Sequence, residues 1–319
     1  MTNSHPKVLV TCPPMLGQID RFYQTASASG IELVPAAVTQ VLSEEELIEI
    51  LPNYEGWIIG DDPATRRVFE AGAAGKLCAA VKWGIGVDNV DFVACKDLGI
   101  PIINTPMMFG QEVADVALGY ILSLARQLHA IDHGIRAGNW PKPAGMSLSG
   151  KTMALVGYGD IGRQVAKRGT CLGMNVIVYD PFVKAESIDS TVELQAWPNR
   201  VNEADFVVFT CALTPKNTHM FNDEIIKLCK STAYVVNVAR GPLIDEEALT
   251  LALEQGRLAG AALDVFEAEP LPLSSRLRKL PCCIFGSHNG SNTVDAVQRA
   301  SLRSIELISQ FLSQIQQKE

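Results

Sequence analysis

Short apolar runs alternate along the chain with longer stretches in which apolar residues recur at helical spacing. In the first third, residues 44–50 and 64–73 have helical spacing. Runs rich in Val, Ile and Ala predict five short strands between such stretches, at residues 8–11, 31–37, 57–60, 79–83 and 101–104. Strands that alternate with helices are typical of a parallel sheet covered by helices, so we expect a small α/β domain here.

A second series of the same kind begins at Met153. Its apolar runs predict six strands, at Met153, Val176, Phe206, Tyr234, Ala261 and Ile284. Between the two series, residues 110–129 have helical spacing, and the turn-rich segment 138–145 is expected to form an irregular arm. Residues 292–316 predict a final amphipathic helix with Asn292 as its N-cap. The whole pattern predicts an α/β fold with two domains.

The first strand of the second series is followed by a glycine motif. Gly157, Gly159 and Gly162 form G-x-G-x-x-G before a helix-compatible stretch, and Asp180 ends the next strand. In a βαβ dinucleotide unit these glycines admit a pyrophosphate to the backbone, and the acidic residue accepts hydrogen bonds from the adenosine ribose. The sequence therefore predicts an NAD site whose pyrophosphate contacts are the backbone amides of Tyr158, Gly159, Asp160 and Ile161. The alternative is an ordinary strand-to-helix turn.

Arg240, Glu269 and His288 each lie in the loop after an apolar strand. Reduction of a 2-oxo acid needs a fixed cation beside its carboxylate and carbonyl, and a proton donor for the carbonyl oxygen. Arg240 fits the first requirement and His288 the second. Taken singly, each of the three is more often a solvated charge or a structural residue. Downstream of a dinucleotide motif, they indicate a dehydrogenase.

Five motifs follow one another along the chain: WGIGVDNVD at residues 83–91, GYGDIG at 157–162, NVARG at 237–241, ALDVFEAEP at 262–270 and SHNG at 287–290. Together they resemble the D-isomer-specific 2-hydroxyacid dehydrogenase family, in its phosphoglycerate dehydrogenase-like branch without a regulatory domain. The resemblance covers nearly the whole chain. It departs from the family at Ser287, where proline is commoner, and at Asp115, where glutamate is commoner.

The resemblance implies a Rossmann nucleotide-binding domain at residues 103–290 and a discontinuous, flavodoxin-like substrate domain at residues 1–102 and 291–319, with the substrate in a cleft between them. It implies hydride transfer between NAD and a small 2-hydroxy or 2-oxo acid. It also implies a homodimer formed through residues 110–129 and the arm near Trp140.

The resemblance assigns further roles within the site. Glu269 would fix the tautomer of His288 and raise the pKa of its ring. The cofactor contacts would gain Val238, Ala239, Asp264 and Gly290. Because the carboxylate of Asp180 repels a 2′-phosphate, NAD is expected rather than NADP.

The turn at residues 82–89 is expected to bind the substrate together with Arg240 and His288. Glycines on both sides of Ile85 let the amides of Ile85 and Gly86 hold a carboxylate, although a plain tight turn is the alternative. Lys82 would either add a cation at the substrate or point into solvent. With Arg66 or Arg67 it would bind the phosphate of 3-phosphoglycerate, the first candidate substrate. Glyoxylate, hydroxypyruvate or a longer 2-oxo acid would need fewer cations. Phosphite oxidation is a further alternative, since it keeps the same three residues.

Composition narrows the class of protein. The 319 residues are 47% hydrophobic, which suits two cores, and a formal net charge of −8 gives no basic field for nucleic acid or anionic lipid. Eight scattered cysteines without C-x-x-C predict free thiols and no metal. No apolar run of membrane length and no signal-peptide pattern occurs, so a cytoplasmic protein is expected. Two other classes stay open: an NAD(H)-binding sensor or corepressor, and a hydrolase of the adenosylhomocysteine type, for which the chain is short.

Overall fold

A computed structural model describes residues 5–317, and it contains two parallel sheets flanked by helices. The chain divides into two compact units, Met1–Phe109 with Asn292–Glu319, and Gly110–Ser291. The predicted α/β class is confirmed.

The elements alternate as the apolar pattern indicates. The strands are β1 (Lys7–Val10), β2 (Glu32–Pro35), β3 (Gly56–Ile59), β4 (Ala79–Lys82), β5 (Ile102–Asn104), β6 (Thr152–Val156), β7 (Asn175–Tyr179), β8 (Val192–Leu194), β9 (Phe206–Phe209), β10 (Tyr234–Asn237), β11 (Gly260–Leu263) and β12 (Cys283–Phe285). The helices are α1 (Pro13–Leu16), α2 (Tyr23–Ala28), α3 (Glu44–Ile50), α4 (Arg66–Ala74), α5 (Phe92–Asp97), α6 (Gly110–Arg126), α7 (Leu128–Arg136), α8 (Asp160–Cys171), α9 (Asp223–Leu228), α10 (Glu246–Glu254) and α11 (Val294–Gln316).

The first unit contains β1 to β5 and, after the excursion of the chain through the second unit, α11. Its strand order is β2-β1-β3-β4-β5, which is that of a flavodoxin-like sheet. The helix α11 packs on β3 and β4: a Cβ built on Gly56 would lie 3.2 Å from Cγ1 of Ile308. The final helix therefore completes the core of the first unit.

The N-cap of α11 differs from the predicted one. The hydroxyl of Thr293 accepts a hydrogen bond from the Ala296 amide at 3.1 Å. Thr293 has the extended backbone of an N-cap, with φ −113° and ψ 157°. The predicted N-cap, Asn292, is therefore wrong by one residue. Asn292 and Thr293 are both residue types that cap helices, and the helix begins after the second of them.

The first boundary between the units lies after Phe109, later than the predicted boundary after residue 102. The intervening segment is fastened to the first unit. The Gly84 amide donates to Oγ1 of Thr105 at 2.8 Å, and the ring of Phe109 lies 5.0 Å from that of Trp83. These contacts join positions far apart in the sequence, so an apolar pattern does not reveal them.

The second unit is built on a seven-stranded parallel sheet with the order β12-β11-β10-β9-β6-β7-β8. The strand order reverses between β6 and β9, which is the switch point of a Rossmann sheet. Every residue of β9 and of β11 is buried, as expected for strands covered on both faces. The edge strand β8 was not predicted because it has only three residues and no full apolar run.

The long helix predicted at residues 110–129 is interrupted. It ends at Arg126, and Gln127 has a φ of +51° before α7 begins. That left-handed residue breaks the helical hydrogen bonding and starts a new direction. Residues 139–149 then form the irregular arm, with no helix or strand. No helix within residues 5–317 has the length and apolar character needed to cross a membrane.

Candidate active site

The candidate residues of the second unit gather at one edge of its sheet. All its strands are parallel, so the loops after them emerge on the same side. The glycine motif follows β6, Asp180 follows β7, Arg240 follows β10, Glu269 follows β11 and His288 follows β12. In open α/β sheets this carboxyl edge is where ligands bind.

The glycine loop has the shape that a dinucleotide requires. A Cβ on Gly162 would lie 2.2 Å from the carbonyl oxygen of Gly157, so only glycine lets α8 start this close to the strand. Gly157 itself has a φ of +98°. At Gly159, the N-cap of α8, an added Cβ would meet nothing within 4 Å. The backbone is therefore open to a ligand where the helix begins.

Asp180 is already engaged with the glycine loop. Its Oδ2 accepts the Tyr158 amide at 2.8 Å, and its Oδ1 accepts the Phe182 amide at 2.9 Å. The predicted pyrophosphate contact at Tyr158 is corrected accordingly, because that N–H is committed to the carboxylate. The amides of Gly159, Asp160 and Ile161 lie at the start of α8, where the N–H groups of a helix have no acceptor within the helix. Each carboxylate oxygen of Asp180 keeps a lone pair for a ribose hydroxyl.

Glu269 and His288 form a close pair. Nδ1 of His288 lies 2.8 Å from Oε2 of Glu269, and the other carboxylate oxygen, Oε1, accepts the Phe266 amide at 2.9 Å. The side chains of Glu269 and His288 are 23% and 22% exposed. Since Glu269 is fixed at both oxygens, it orients the imidazole. The residues that the sequence predicted as a pair are brought together.

The loop that carries Arg240 is braced by Asn237. Oδ1 of Asn237 accepts the Ala239 amide at 3.0 Å, and its Nδ2 donates to the Arg240 carbonyl at 2.8 Å. Nη1 of Arg240 donates to the Ala239 carbonyl at 2.8 Å. Val238 and Ala239 are buried where β10 ends. Asn237 therefore holds the backbone of the Arg240 loop, and the hydrogen bond to the Ala239 carbonyl orients the guanidinium.

Asp264 is buried beneath the His288 loop. It is 3% exposed, and its Oδ2 accepts the amide of Gly290 at 2.9 Å. Its Oδ1 accepts the hydroxyl of Tyr120, on α6, at 3.1 Å. Tyr120 was not among the predicted site residues; its only sequence signal is a phenol within an otherwise apolar stretch of helix.

In the first unit, Lys82 is buried and fully bonded. It is 2% exposed, and its ammonium donates to the carbonyls of Gly60 at 2.6 Å and Trp83 at 3.1 Å and to Oδ1 of Asp61 at 3.2 Å. An ammonium has three donors, so none is left for a substrate oxygen. Both predicted positions of Lys82, at the substrate and in solvent, are corrected: it is a structural cation.

The predicted phosphate arginines are also paired with carboxylates. Arg66 lies 2.7 Å from Oδ2 of Asp97, and Arg67 lies 3.0 Å from Oε2 of Glu44. Both arginines are at the start of α4 with side chains 42% and 65% exposed. This arrangement is that of a solvated helix face with surface ion pairs.

The turn at residues 84–89 keeps backbone donors available. Within residues 5–317, the amides of Ile85 and Gly86 donate to no protein acceptor. The turn is held instead through Asn104, whose Nδ2 donates to the Ile85 carbonyl at 3.1 Å, and through Asn89, whose Nδ2 donates to the Asp62 carbonyl at 2.7 Å. Two adjacent free amides in a fixed turn can bind a carboxylate.

The cysteines form no disulfide. All eight are free thiols, and among the described residues no group of three or more His, Cys, Asp or Glu is arranged to hold a metal ion.

Comparison with known proteins assigns the family. The family model "D-isomer specific 2-hydroxyacid dehydrogenase, NAD binding domain" matches residues 118–290. The chain belongs to this family. The matched segment contains the glycine loop, Arg240, Glu269 and His288, so NAD is the cofactor that the second unit is built to bind.

Relatives in the family differ in substrate. The chain is 36% identical to D-3-phosphoglycerate dehydrogenase of Methanocaldococcus jannaschii over 96% of its own length and 57% of that protein. It is 36% identical to hydroxypyruvate reductase of Thermotoga maritima over 84% of its own length and 88% of that protein. The chain spans about half the length of the curated D-3-phosphoglycerate dehydrogenases it matches.

A solved structure has the same fold. The TT0316 protein of Thermus thermophilus superposes with a TM-score of 0.84 at 30% identity, over 96% of this chain and 97% of that one. The predicted family and fold class, a Rossmann unit with a flavodoxin-like unit, are thus confirmed.

Proposed function

We propose that the protein is an NAD-dependent D-2-hydroxyacid dehydrogenase, which interconverts a small 2-oxo acid and the corresponding D-2-hydroxy acid. The observation that carries the proposal is the 2.8 Å pair between His288 and Glu269, at the same sheet edge as the glycine loop and Arg240. An oriented acid–base histidine, an arginine and a dinucleotide loop at one edge are what hydride transfer to a carbonyl needs.

Each residue has a distinct task. Bound NADH supplies the hydride. The guanidinium of Arg240 holds the substrate carboxylate and the C2 oxygen together, because its fork suits two oxygens. Nε2 of His288 gives its proton to the C2 oxygen in reduction and takes it back in oxidation. Glu269 keeps Nδ1 of the ring protonated, and its charge stabilises the imidazolium that donates.

The cofactor residues divide between the two ends of NAD. Asp180 accepts from the adenosine ribose, and the amides of Gly159, Asp160 and Ile161 hold the pyrophosphate. At the nicotinamide end we assign Val238, Ala239, Asp264 and Gly290, which follow β10, β11 and β12. The fixed carboxylate of Asp180 would repel a 2′-phosphate. We therefore expect a clear preference for NADH over NADPH in catalytic efficiency.

The substrate that we propose is a small, unphosphorylated 2-oxo acid such as hydroxypyruvate or glyoxylate. The Ile85 and Gly86 amides supply a carboxylate site in the first unit without any cation. All three candidate phosphate ligands have other partners: Lys82 is buried with its donors used, and Arg66 and Arg67 are ion-paired. 3-Phosphoglycerate is the second candidate, supported by the identity to the Methanocaldococcus enzyme over 96% of the chain.

Steady-state kinetics with NADH test this proposal. Hydroxypyruvate, glyoxylate and phosphohydroxypyruvate are compared, and we expect kcat/KM for hydroxypyruvate to equal or exceed that for phosphohydroxypyruvate. A large advantage of phosphohydroxypyruvate would show that the surface arginines exchange their partners for phosphate. Tight NADH binding with no turnover of any 2-oxo acid would instead favour the sensor or corepressor class.

We also propose a homodimer in the cytoplasm. Apolar side chains are exposed on α6, α7 and the arm of the second unit: Leu122, Leu128, Ile135 and Trp140, the last at 78%. A surface of this kind is costly on a monomer. Eight free thiols suit a reducing compartment. Light scattering at micromolar concentration should give twice the chain mass; the chain mass itself would refute the dimer.

A further inference from the structure

His288 has a backbone conformation that residues with a side chain rarely adopt. Its φ is +55°, in the left-handed region. The hydrogen bond between His288 and Glu269 is made by the ring nitrogen Nδ1, so it does not hold the backbone in this conformation. The left-handed backbone must be held by other contacts if the ring is to keep one position.

Those contacts come from Asp264. The amides of three successive residues turn around it: His288 N donates to the Asp264 carbonyl at 2.7 Å, Asn289 N reaches Oδ1 at 3.4 Å, and Gly290 N donates to Oδ2 at 2.9 Å. A single buried residue thus holds the backbone of the loop at the histidine and at the two residues after it. The carboxylate of Asp264 holds the two amides that follow His288.

Tyr120 fixes that orientation. Its hydroxyl donates to Oδ1 of Asp264 at 3.1 Å from α6, 144 positions away in the sequence. The packing around this bond is tight: a Cβ on Gly286 would lie 2.0 Å from Oδ1 of Asp264 and 2.3 Å from the Tyr120 hydroxyl. Burial and the charge of Asp264 raise the pKa of Tyr120 above its ordinary value, so the phenol stays a donor at physiological pH.

We propose that Tyr120 is a positioning residue, which holds His288 through Asp264 in the place from which it exchanges a proton with the substrate. This inference rests on the dehydrogenase function proposed above. Without the hydroxyl, the Asp264 carboxylate loses one of its three donors and can rotate away from the Gly290 amide. The loop then relaxes from the left-handed conformation, and the ring loses its alignment with Glu269. Glu269 and Asp264 both bond to the His288 loop.

The test compares Tyr120→Phe with Tyr234→Phe. Tyr234 is a matched control because it is a partly buried tyrosine of the same unit at the opposite, amino end of β10. For Tyr120→Phe we expect kcat with hydroxypyruvate to fall roughly tenfold, since small misplacement of a catalytic group lowers the rate steeply. KM should stay within about twofold. The dissociation constant of NADH should change less than kcat, because Asp264 and Gly290 contact only the nicotinamide end in the proposed site. Tyr234→Phe should match the wild type in all three.

Histidine NMR gives a readout that does not depend on turnover. The chain has five histidines, and the signal of His288 is the one missing from His288→Ala. In Tyr120→Phe we expect the titration midpoint of His288 to fall by about half a unit or more, because the ring is held less firmly against Glu269. In Tyr234→Phe the midpoint should not move.

The outcomes separate this inference from the proposed function. An unchanged rate and an unchanged His288 titration in folded Tyr120→Phe would overturn the positioning role. A loss of rate with an unmoved titration, explained by weaker NADH binding alone, would overturn it as well. If the wild type turns over no 2-oxo acid, the proposed function fails, while the NMR titration still decides whether Tyr120 holds His288.

Discussion

Replacing Glu269 by glutamine probes the acid–base pair with the smallest change of shape. In the wild type, Oε2 faces Nδ1 of His288 at 2.8 Å and Oε1 accepts the Phe266 amide at 2.9 Å. A glutamine can satisfy only one of these donors with its single oxygen, and its NH₂ group then faces the other. Either arrangement removes the negative charge opposite the ring. The imidazolium of His288 therefore becomes less favourable.

The size of the effect follows from the geometry. An opposite charge in contact with an ionisable group moves its pKa by about 1–3 units. The pair is about a fifth exposed, so we take the lower end, about one unit, which corresponds to about 1.4 kcal/mol or tenfold in the protonated fraction. Reduction requires protonated His288. In Glu269→Gln, kcat for reduction should therefore fall about tenfold at pH values above the shifted pKa of His288. It should recover as the pH is lowered.

Oxidation has the opposite requirement, because it needs neutral His288. Its rising limb should move to lower pH in Glu269→Gln, by the same amount of about one unit. The assay is kcat against pH in both directions, with the NADH dissociation constant as a control. Equal loss at every pH, without movement of either limb, would refute the reasoning and leave Glu269 a merely structural partner.

Three other predictions concern separate parts of the chain. His288→Ala should lower kcat by roughly 10²–10⁴ with nearly unchanged NADH affinity, and retention of most of the rate would mean that another group donates the proton. Lys82→Met should lower the free energy of unfolding by about 2–3 kcal/mol in urea titrations, because buried acceptors lose their donor; the exposed Lys96→Met should change it little, and equal effects would contradict the buried role. A hydrogen bond from Cys283 lowers the pKa of Cys282 to about 7, so iodoacetamide should label Cys282 rapidly as the pH rises through 7. Cys283→Ala should slow that labelling at pH 7, and an unchanged rate would exclude the hydrogen bond as its cause.

The periodic pattern predicted the fold well where the elements are long and buried on both faces. The strands β6, β9 and β11 are continuous apolar runs, and the glycine motif marks the turn after the first of them. The periodic pattern failed to predict β8, which has only three residues. It also failed at Gln127, whose left-handed φ divides one predicted helix into two. A single backbone angle leaves almost no trace in a hydrophobic pattern.

The site could be predicted only in part for a similar reason. Glu269 and His288 lie in motifs, so their pairing followed from the resemblance. Lys82 was misplaced because its partners, the carbonyls of Gly60 and Trp83 and the carboxylate of Asp61, have no sequence signature. Tyr120 was missed because its partner, Asp264, is 144 positions away. Both residues act through contacts that only the folded chain creates.

The most direct test of the proposed dehydrogenase is the configuration of its product. Purified protein is incubated with NADH and hydroxypyruvate, and the glycerate formed is resolved on a chiral column. We predict NADH oxidation with D-glycerate as the product, formed by the wild type and nearly abolished in His288→Ala. L-Glycerate as the product, or NADH binding without any conversion of 2-oxo acids, would contradict the assignment.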